Sequence, residues 1–265
     1  MNGLGRGFSG IPVVVKNLII INALVFIANM ALGNKLTEWL ALYFFNNPNF
    51  KPFQFITHMF MHGGWMHIFF NMFALWMFGS MLEQVWGSKR FLTFYIICGL
   101  GAAGLHTLVN WIEIRPLIDQ LSAVNFDFVY IKQALSLTPI NDHLTEINNL
   151  LDQGARSASN WNTSLTATME KFFLKNAIPV VGASGAIFGV LIGFGMIFPN
   201  TKLMLIFFPV PIAAKYFIPV LMVLELFLGI GQFSWDNIAH FAHLGGALFG
   251  FILMKYWGLD KQRYN

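Results

Sequence analysis

A serine, two histidines and an asparagine could together carry out nucleophilic catalysis in this chain. Ser184 lies in the run PVVGASGAIFG, residues 179–189, and His243 lies in AHLGGALFG, residues 242–250. A serine hydroxyl becomes an effective nucleophile when a neighbouring histidine accepts its proton. The oxyanion that then forms needs hydrogen-bond donors. His67 and Asn71 are candidate donors because residues four apart share one face of a helix.

Ser184 also has a purely structural interpretation, because small residues allow membrane helices to pack closely. A stripe of small residues follows it, formed by Gly185, Gly189 and Gly193. On the last apolar segment, His243 shares a face with two further glycines, Gly246 and Gly250. We expect these two glycine faces to meet and to bring Ser184 within hydrogen-bonding distance of His243. Taken alone, Ser184 remains open to either interpretation.

The composition is that of a membrane protein. Of 265 residues, 56% are hydrophobic and 11% are charged, and the mean hydropathy is +0.61. Soluble domains average about 25% charged residues, and apolar runs near the ~20 residues of a membrane span recur here. We therefore predict an all-α, polytopic membrane protein with six transmembrane helices. The predicted spans are residues 13–33, 65–82, 91–109, 178–198, 214–231 and 238–257.

The charged residues and the single cysteine exclude other classes. The sequence pI is about 9.2, but the basic residues are scattered beside the spans, so we expect membrane lipids rather than nucleic acid as partners. Cys98 is alone, which excludes a disulfide framework and a CxxC metal site. The first apolar stretch has no A-x-A-like cleavage site and is expected to remain as a span.

The distribution of lysine and arginine predicts the orientation. With six spans, one side carries Arg6, Lys16, Lys89, Arg90, Lys202, Lys215, Lys255, Lys261 and Arg263. Only Lys35 and Lys51 face the other way in short loops, so the N- and C-termini are expected in the cytoplasm. We expect a bacterial plasma membrane, with the candidate site opening to the extracytoplasmic side.

We predict one membrane domain over residues 1–265, with an extracytoplasmic insertion at about residues 110–177. The insertion carries acidic residues with apolar residues between them at helical intervals. Residues 144–153, LTEINNLLDQ, are typical of a short amphipathic helix, and residues 157–164 of a turn. We expect one or two surface helices here. Residues 203–215, apolar but interrupted by Pro209 and Pro211, are expected at the membrane interface.

The predicted topology brings the polar residues together. Spans two, four and six run in the same direction, so their N-terminal ends lie at one face of the membrane. His67, Asn71, Ser184 and His243 all lie near those ends. Polar residues inside membrane spans are costly and by default suggest a function. Four of them at one depth support the catalytic interpretation.

The motifs resemble those of the rhomboid intramembrane serine proteases. HMFMHGGWMHIFFN (58–71) fits H-x3-H-x4-H-x3-N, GASG (182–185) fits G-x-S-G, and AHLGGALFG (242–250) fits A-H-x-x-G-x-x-x-G. LEQVWGSKRF (82–91) is similar to the turn that follows the second span in this family. The resemblance implies a six-helix core and cleavage of single-span membrane proteins in or near their transmembrane segment.

The resemblance also implies roles for residues. Ser184 would be the nucleophile and His243 the general base, as a dyad without an acidic third member, and His67 and Asn71 would stabilise the oxyanion. No metal or cofactor is implied. Structural support near the site is expected from His58, His62, Gly182, Gly185, Phe188, Gly246 and Gly250. Some relatives have tyrosine at position 188, and phenylalanine can still stack on His243.

Other interpretations remain for several residues. His58, His62 and His67 could chelate zinc, but no HExxH motif or nearby acidic residue supports this. Glu225, inside span five, could mark a proton site, and a protonated interhelical hydrogen bond is the alternative that we favour. His240 matches no catalytic position. An inactive relative that binds or escorts membrane clients is the alternative function, and a transporter is disfavoured because no inverted repeat is apparent.

Overall fold

A computed structural model describes residues 10–205, 208–231 and 238–259. Three of the basic residues behind the predicted orientation, Arg6, Lys261 and Arg263, lie outside these ranges. The protein is an all-α polytopic membrane bundle with one short hairpin. The first helices are α1 (Val13–Ala31), α2 (Lys35–Leu40), α3 (Gln54–Thr57), α4 (Trp65–Trp86) and α5 (Ser88–Ser122).

The remaining elements follow the long helix α5. They are α6 (Val129–Ser136), α7 (Leu144–Ser157), α8 (Thr163–Ala177), α9 (Ser184–Ile197), β1 (Lys202–Leu205), β2 (Phe208–Ala213), α10 (Ala214–Gly231) and α11 (His240–Tyr256). Single 3-10 turns cover His58–Phe60 and Ile140–Asp142, and α4 contains a π turn at Leu75–Gly79.

Four helices of the described chain, α1, α4, α5 and α10, are long and apolar enough to cross a membrane, and α9 is a shorter apolar helix. On α10, Val220, Val223 and Ile230 are each 68% exposed. Large apolar side chains on the outside of a helix are expected where the surroundings are lipid. The helix bounds agree with the predicted spans near residues 13, 214 and 240, and the count of six spans stays a prediction.

The chain forms two compact units. The first contains residues 1–28, 59–106 and 181–265, and the second contains residues 29–58 and 107–180. The core of the first unit is formed by apolar side chains of its membrane helices, including Leu75, Phe94 and Val190. One buried carboxylate, that of Glu83 on α4, accepts hydrogen bonds from the backbone N–H groups of Val14 and Val15 at 2.9 and 2.8 Å. This carboxylate satisfies N–H groups that the first turn of α1 cannot pair internally.

The second unit has a core of its own, formed by the end of α5 and by α6, α7 and α8. Ile114, Leu121, Ile147 and Phe172 are among its buried side chains. The side chains of Lys175 and Glu113 form an ion pair in this unit. α7 has its buried residues on one face, so the amphipathic helix predicted at residues 144–153 is confirmed and continues to Ser157.

The helices differ from the predicted segments in three places. The third predicted span was placed at 91–109, but α5 continues to Ser122 because Ile114, Leu117 and Leu121 follow helical spacing and are buried. Three helices, rather than one or two, follow within residues 110–177. The fourth predicted span began at residue 178, but α9 begins at Ser184.

The segment expected at the interface forms a hairpin. β1 and β2 are antiparallel, with Lys202 opposite Ala213 and Leu203 opposite Ile212. Pro209 and Pro211 lie in the second strand, which has one partner strand in the described chain. Prolines are tolerated in strands whose free edge needs no N–H donor.

Candidate functional site

Ser184 is the first residue of α9, and the backbone before it explains this position. Pro179 has no N–H, and Val180 pairs in a bridge with Leu42. Gly182 has φ of +120°, a conformation that side-chain-bearing residues rarely adopt. The first N–H groups of a helix have no partner within it and carry the positive end of its dipole. The hydroxyl of Ser184 therefore lies where developing negative charge is stabilised.

Glycines allow α9 and α11 to approach closely. A Cβ atom on Gly250 would lie 2.8 Å from Cα of Gly189, and one on Gly246 would overlap the backbone carbonyl of Gly185. The expected contact between the two glycine faces is thus present. Gly193 is an exception, because its face meets the Trp86 ring and Leu82 of α4 instead of α11.

The close approach places Ser184 against His243. The Ser184 Oγ and His243 Nε2 atoms are 2.9 Å apart, a hydrogen-bond distance. The Phe188 ring stacks on the imidazole of His243, with centroids 4.2 Å apart and planes 8° from parallel. The expected stacking is therefore observed, and it restricts rotation of the imidazole.

The other nitrogen of His243 faces an acid. Nδ1 of His243 lies 2.9 Å from Oε2 of Glu225, and Nδ1 of His240 lies 2.7 Å from the same oxygen. Glu225 is 8% exposed and His240 is 5% exposed. The predicted hydrogen bond of Glu225 between helices is present, since Glu225 lies on α10 and both histidines lie on α11, and the protonated state predicted for Glu225 stays a prediction. The arrangement differs from the dyad without an acidic neighbour that the resemblance implied.

His67 and Asn71 lie on α4 and line a cavity together with Ser184. A Cβ on Gly182 would lie 2.7 Å from Nε2 of His67 and 3.6 Å from Oγ of Ser184, so these groups border the same space. The Asn71 side-chain amide donates one N–H to the His67 carbonyl at 2.8 Å, which leaves its second N–H for another acceptor. Nδ1 of His67 accepts from the Gly63 N–H at 3.4 Å, which is compatible with a proton on Nε2.

The cavity itself is mostly apolar. Its volume is about 370 Å³. Its lining residues are Met66, His67, Phe70, Asn71, Ala74, Ser184, Ile187, Phe188, Leu191 and Leu221. A pocket with an apolar wall and a few convergent polar groups is typical of a ligand site.

His58 and His62 lie just before α4, and both are buried. Nδ1 of His58 lies 2.9 Å from the Gln54 carbonyl oxygen, so His58 braces the short helix α3. The rings of His62 and His67 meet edge to face, with centroids 5.0 Å apart. Burial lowers the pKa of His58 and that of His62 to about 4. Both are therefore neutral at physiological pH.

The comparison with protein families follows the same residues. A family model described as the Rhomboid domain matches residues 49–113 and 159–258, which is more than half of the chain. The chain belongs to the rhomboid family. The match includes every rhomboid motif residue considered above and omits residues 114–158, which lie within the segment that we predicted to be an insertion.

Individual relatives agree with this rhomboid assignment. Rhomboid protein 1, mitochondrial, of Saccharomyces cerevisiae is 26% identical over 210 residues, 78% of this chain and 43% of the relative. Rhomboid protease GlpG of Salmonella newport is 35% identical over 78 residues, 29% of this chain and 28% of the relative. Rhomboid-like protein 15 of Arabidopsis thaliana is 27% identical over 107 residues, 40% of this chain and 27% of the relative. The chain thus spans less than half the length of these relatives.

Sequence reasoning did not connect Glu225 with His243, although the signal was present. A glutamate within an apolar span is costly unless it has polar partners, and the two histidines are those partners. In the described part of the chain, Glu225, His240 and His243 are also the one group able to offer three metal ligands, with ligand atoms within 4.8 Å of one another. The two hydrogen bonds of Glu225 Oε2 are sufficient to explain that proximity.

Proposed function

We propose that this rhomboid is an intramembrane serine endopeptidase that cleaves single-span membrane proteins in or near their transmembrane segment. The observation that carries the proposal is the 2.9 Å contact between Ser184 Oγ and His243 Nε2 at the start of α9. Membership in the rhomboid family and the similarity to a relative named a rhomboid protease support it. A serine that served packing alone would not need a histidine at this distance.

In the proposed reaction, Ser184 and His243 transfer one proton back and forth. Ser184 Oγ attacks the scissile carbonyl carbon while its proton passes to Nε2 of His243. The tetrahedral intermediate collapses, the C–N bond breaks, and the leaving amine takes that proton. Water then attacks the acyl ester, again giving a proton to Nε2, and the proton returns to Ser184 as the ester bond breaks.

Donors for the oxyanion are proposed on two elements. The proposed donors are His67 Nε2, which borders the space beside Gly182, the second amide N–H of Asn71, which lines the same cavity as Ser184, and the backbone N–H of Ser184. Such donors are preorganised by the fold and require no rearrangement during the reaction. No cofactor or metal takes part in this mechanism.

The substrate class is proposed from the cavity and the surroundings. An apolar wall that includes Phe70, Ile187 and Leu221 suits the side chains of a membrane-spanning segment. A substrate segment has to expose its backbone to Ser184, so weakly helical, small residues near the cut are expected. Lipids and transmembrane proteins are therefore the proposed partners.

The proposed location is a bacterial plasma membrane, with both termini in the cytoplasm and the site opening to the extracytoplasmic side. The asymmetric distribution of lysine and arginine supports this orientation. We propose further that the helices of residues 110–177 form an extracytoplasmic insertion in a single rhomboid domain and influence substrate access.

A serine-reactive probe tests the function directly. Purified protein in lipid would be incubated with a fluorophosphonate or isocoumarin, with Ser184→Ala and His243→Ala as matched variants. A single-span reporter protein would be tested in parallel for cleavage. We expect labelling and cleavage by the wild type and neither by the two variants.

Two results would contradict the proposal. Labelling that persists in Ser184→Ala would place the reactive group elsewhere. A folded wild type that neither reacts with probes nor cleaves reporters in several lipids would support the alternative, an inactive rhomboid that binds or escorts membrane clients.

A further inference from the structure

We propose that Glu225 and His240 are positioning residues that hold His243 in the tautomer and orientation needed to accept the proton of Ser184. This inference rests on the proposed function. It extends the serine–histidine dyad to a chain of four hydrogen-bonded side chains: Ser184, His243, Glu225 and His240.

The distances define the order of this chain. Ser184 Oγ is 2.9 Å from Nε2 of His243, and Nδ1 of the same ring is 2.9 Å from Glu225 Oε2. His240 Nδ1 is 2.7 Å from that oxygen. The two imidazoles are nearly perpendicular, at 84°, so each approaches Oε2 from its own direction.

The chemistry of the imidazole gives Glu225 its role. A neutral histidine carries its proton on one ring nitrogen and accepts with the other. A carboxylate beside Nδ1 keeps the proton there, so the lone pair of Nε2 faces Ser184 Oγ–H. The same carboxylate stabilises the imidazolium that forms when the proton is transferred, as the aspartate does in serine protease triads.

His240 is proposed to fix the carboxylate in turn. Oε2 of Glu225 lies within hydrogen-bond distance of two imidazole nitrogens, and N–H donation from both suits an ionised carboxylate better than the protonated form expected from sequence. His240 is the first residue of α11 and His243 lies one turn later. Glu225 on α10 therefore contacts two successive turns of α11, and its side chain has little freedom to turn away.

The test compares substitutions at these positions in the full chain. Glu225→Gln keeps the size and removes the charge, and His240→Phe removes one donor to the carboxylate. Val223→Ala, at a 68% exposed position on the same helix, is the control. Each variant is checked for thermal unfolding in detergent, and kcat and KM are measured with a single-span reporter.

We expect Glu225→Gln to lower kcat by about 10²–10⁴-fold, as the loss of the acid does in serine protease triads. KM should stay within about threefold, because no contact with bound substrate is removed. His240→Phe should lower kcat by about tenfold, the effect of one hydrogen bond to a charged group. Val223→Ala should have the same kcat and KM as the wild type. The activity of the wild type should survive treatment with EDTA.

Several results would overturn the proposal. One is a folded Glu225→Gln protein with kcat within about threefold of the wild type. If that variant does not fold, an unchanged kcat in folded His240→Phe overturns it instead. Loss of wild-type activity in EDTA, restored by zinc, would assign the three side chains to a metal centre. An inactive wild type would contradict the proposed function itself and is distinguished by the absence of probe labelling.

Discussion

The two units of this protein place polar side chains in opposite ways. In the first unit, Ser184, Glu225, His240 and His243 are joined by hydrogen bonds among otherwise apolar helices. In the second, α7 keeps apolar residues inward and polar ones outward, as a helix of a water-soluble domain does. A polar chain that is partly buried in an apolar unit is costly, whereas an amphipathic helix is an ordinary way to form a core.

Within each unit, the glycines also meet different kinds of neighbouring atoms. Gly246 of the first unit meets the rigid backbone of Gly185, so any side chain there forces two helices apart. Gly154 of the second unit meets the far end of the Phe126 side chain rather than a backbone. The family match omits residues 114–158, all of them in the second unit. The proposed catalytic residues therefore all lie in the first unit, whereas the residues that the family match omits all lie in the second.

The largest effect is expected from an oxyanion donor of the first unit. Asn71→Ala should lower kcat by about 10²–10³-fold, because one donor to the oxyanion is lost. The measurement is cleavage of a single-span reporter. Asn22→Ala is the matched control, since both amides donate to the carbonyl four residues earlier but Asn22 lies on α1, away from the cavity. Equal losses in both variants would show a general effect on packing.

The glycine contrast gives the next largest effect. Gly246→Ala should lower the rate of probe labelling by about 100-fold, because a shift near 1 Å between α9 and α11 separates Ser184 from His243. Gly154→Ala should change that rate by less than about twofold, since its new methyl group meets side-chain atoms of the second unit and no backbone of α9 or α11. Similar losses in the two variants would contradict the assignment of chemistry to the first unit.

Acid should destabilise both units, the first through His62 and the second through His58. Burial lowers the pKa of His58 and His62 from 6.5 to about 4, so the unfolded chain binds more protons between these values. Stability is therefore full above pH 6.5 and is lost as the pH falls towards 4, by at most about 3 kcal/mol per histidine. Thermal unfolding at pH 7 and pH 5 measures this loss.

Replacing these histidines sharpens that measurement. His58→Gln and His62→Gln should each reduce the difference in unfolding temperature between the two pH values, because one proton-binding group is removed from the unfolded chain. His143→Gln is the control, because that side chain is partly exposed. If the double variant showed the same difference in unfolding temperature between pH 7 and pH 5 as the wild type, the proposed role of histidine burial would be contradicted.

The site could be predicted further from sequence than the fold around it. The prediction that Ser184 lies beside His243 came from the spacing of the glycines and from the common direction of spans four and six. Two glycine faces leave few ways for two helices to pack. Hydropathy did not locate the start of α9, since residues 178–183 are as apolar as the helix. Pro179 and the positive φ of Gly182 determine it. The sequence indicated that Glu225 needs a polar partner but not that the partner is His243, because the rotation of α10 depends on packing.

The long helix α5 shows a second limit of sequence reasoning. Its first part is apolar on all sides, whereas its last part mixes apolar and charged residues and buries Ile114, Leu117 and Leu121. The change from an apolar segment to a mixed segment resembles the end of a membrane span. The α-helix nevertheless continues past Pro116 without interruption. Periodicity over the boundary would have predicted the continuation, because the buried positions keep helical spacing.

The smallest effect on chemistry is expected from the core of the second unit. Leu151 on α7 is 7% exposed, so Leu151→Ala should cost about 2–5 kcal/mol of stability. Probe labelling of Ser184 should change by less than about twofold, because a small probe needs only the first unit. Cleavage of a single-span protein should change more than labelling does, if the second unit influences substrate access. Leu191→Ala, at a similarly buried position that lines the cavity, should alter both readouts. If Leu151→Ala reduced labelling and cleavage equally, the second unit would be part of the machinery that makes Ser184 reactive.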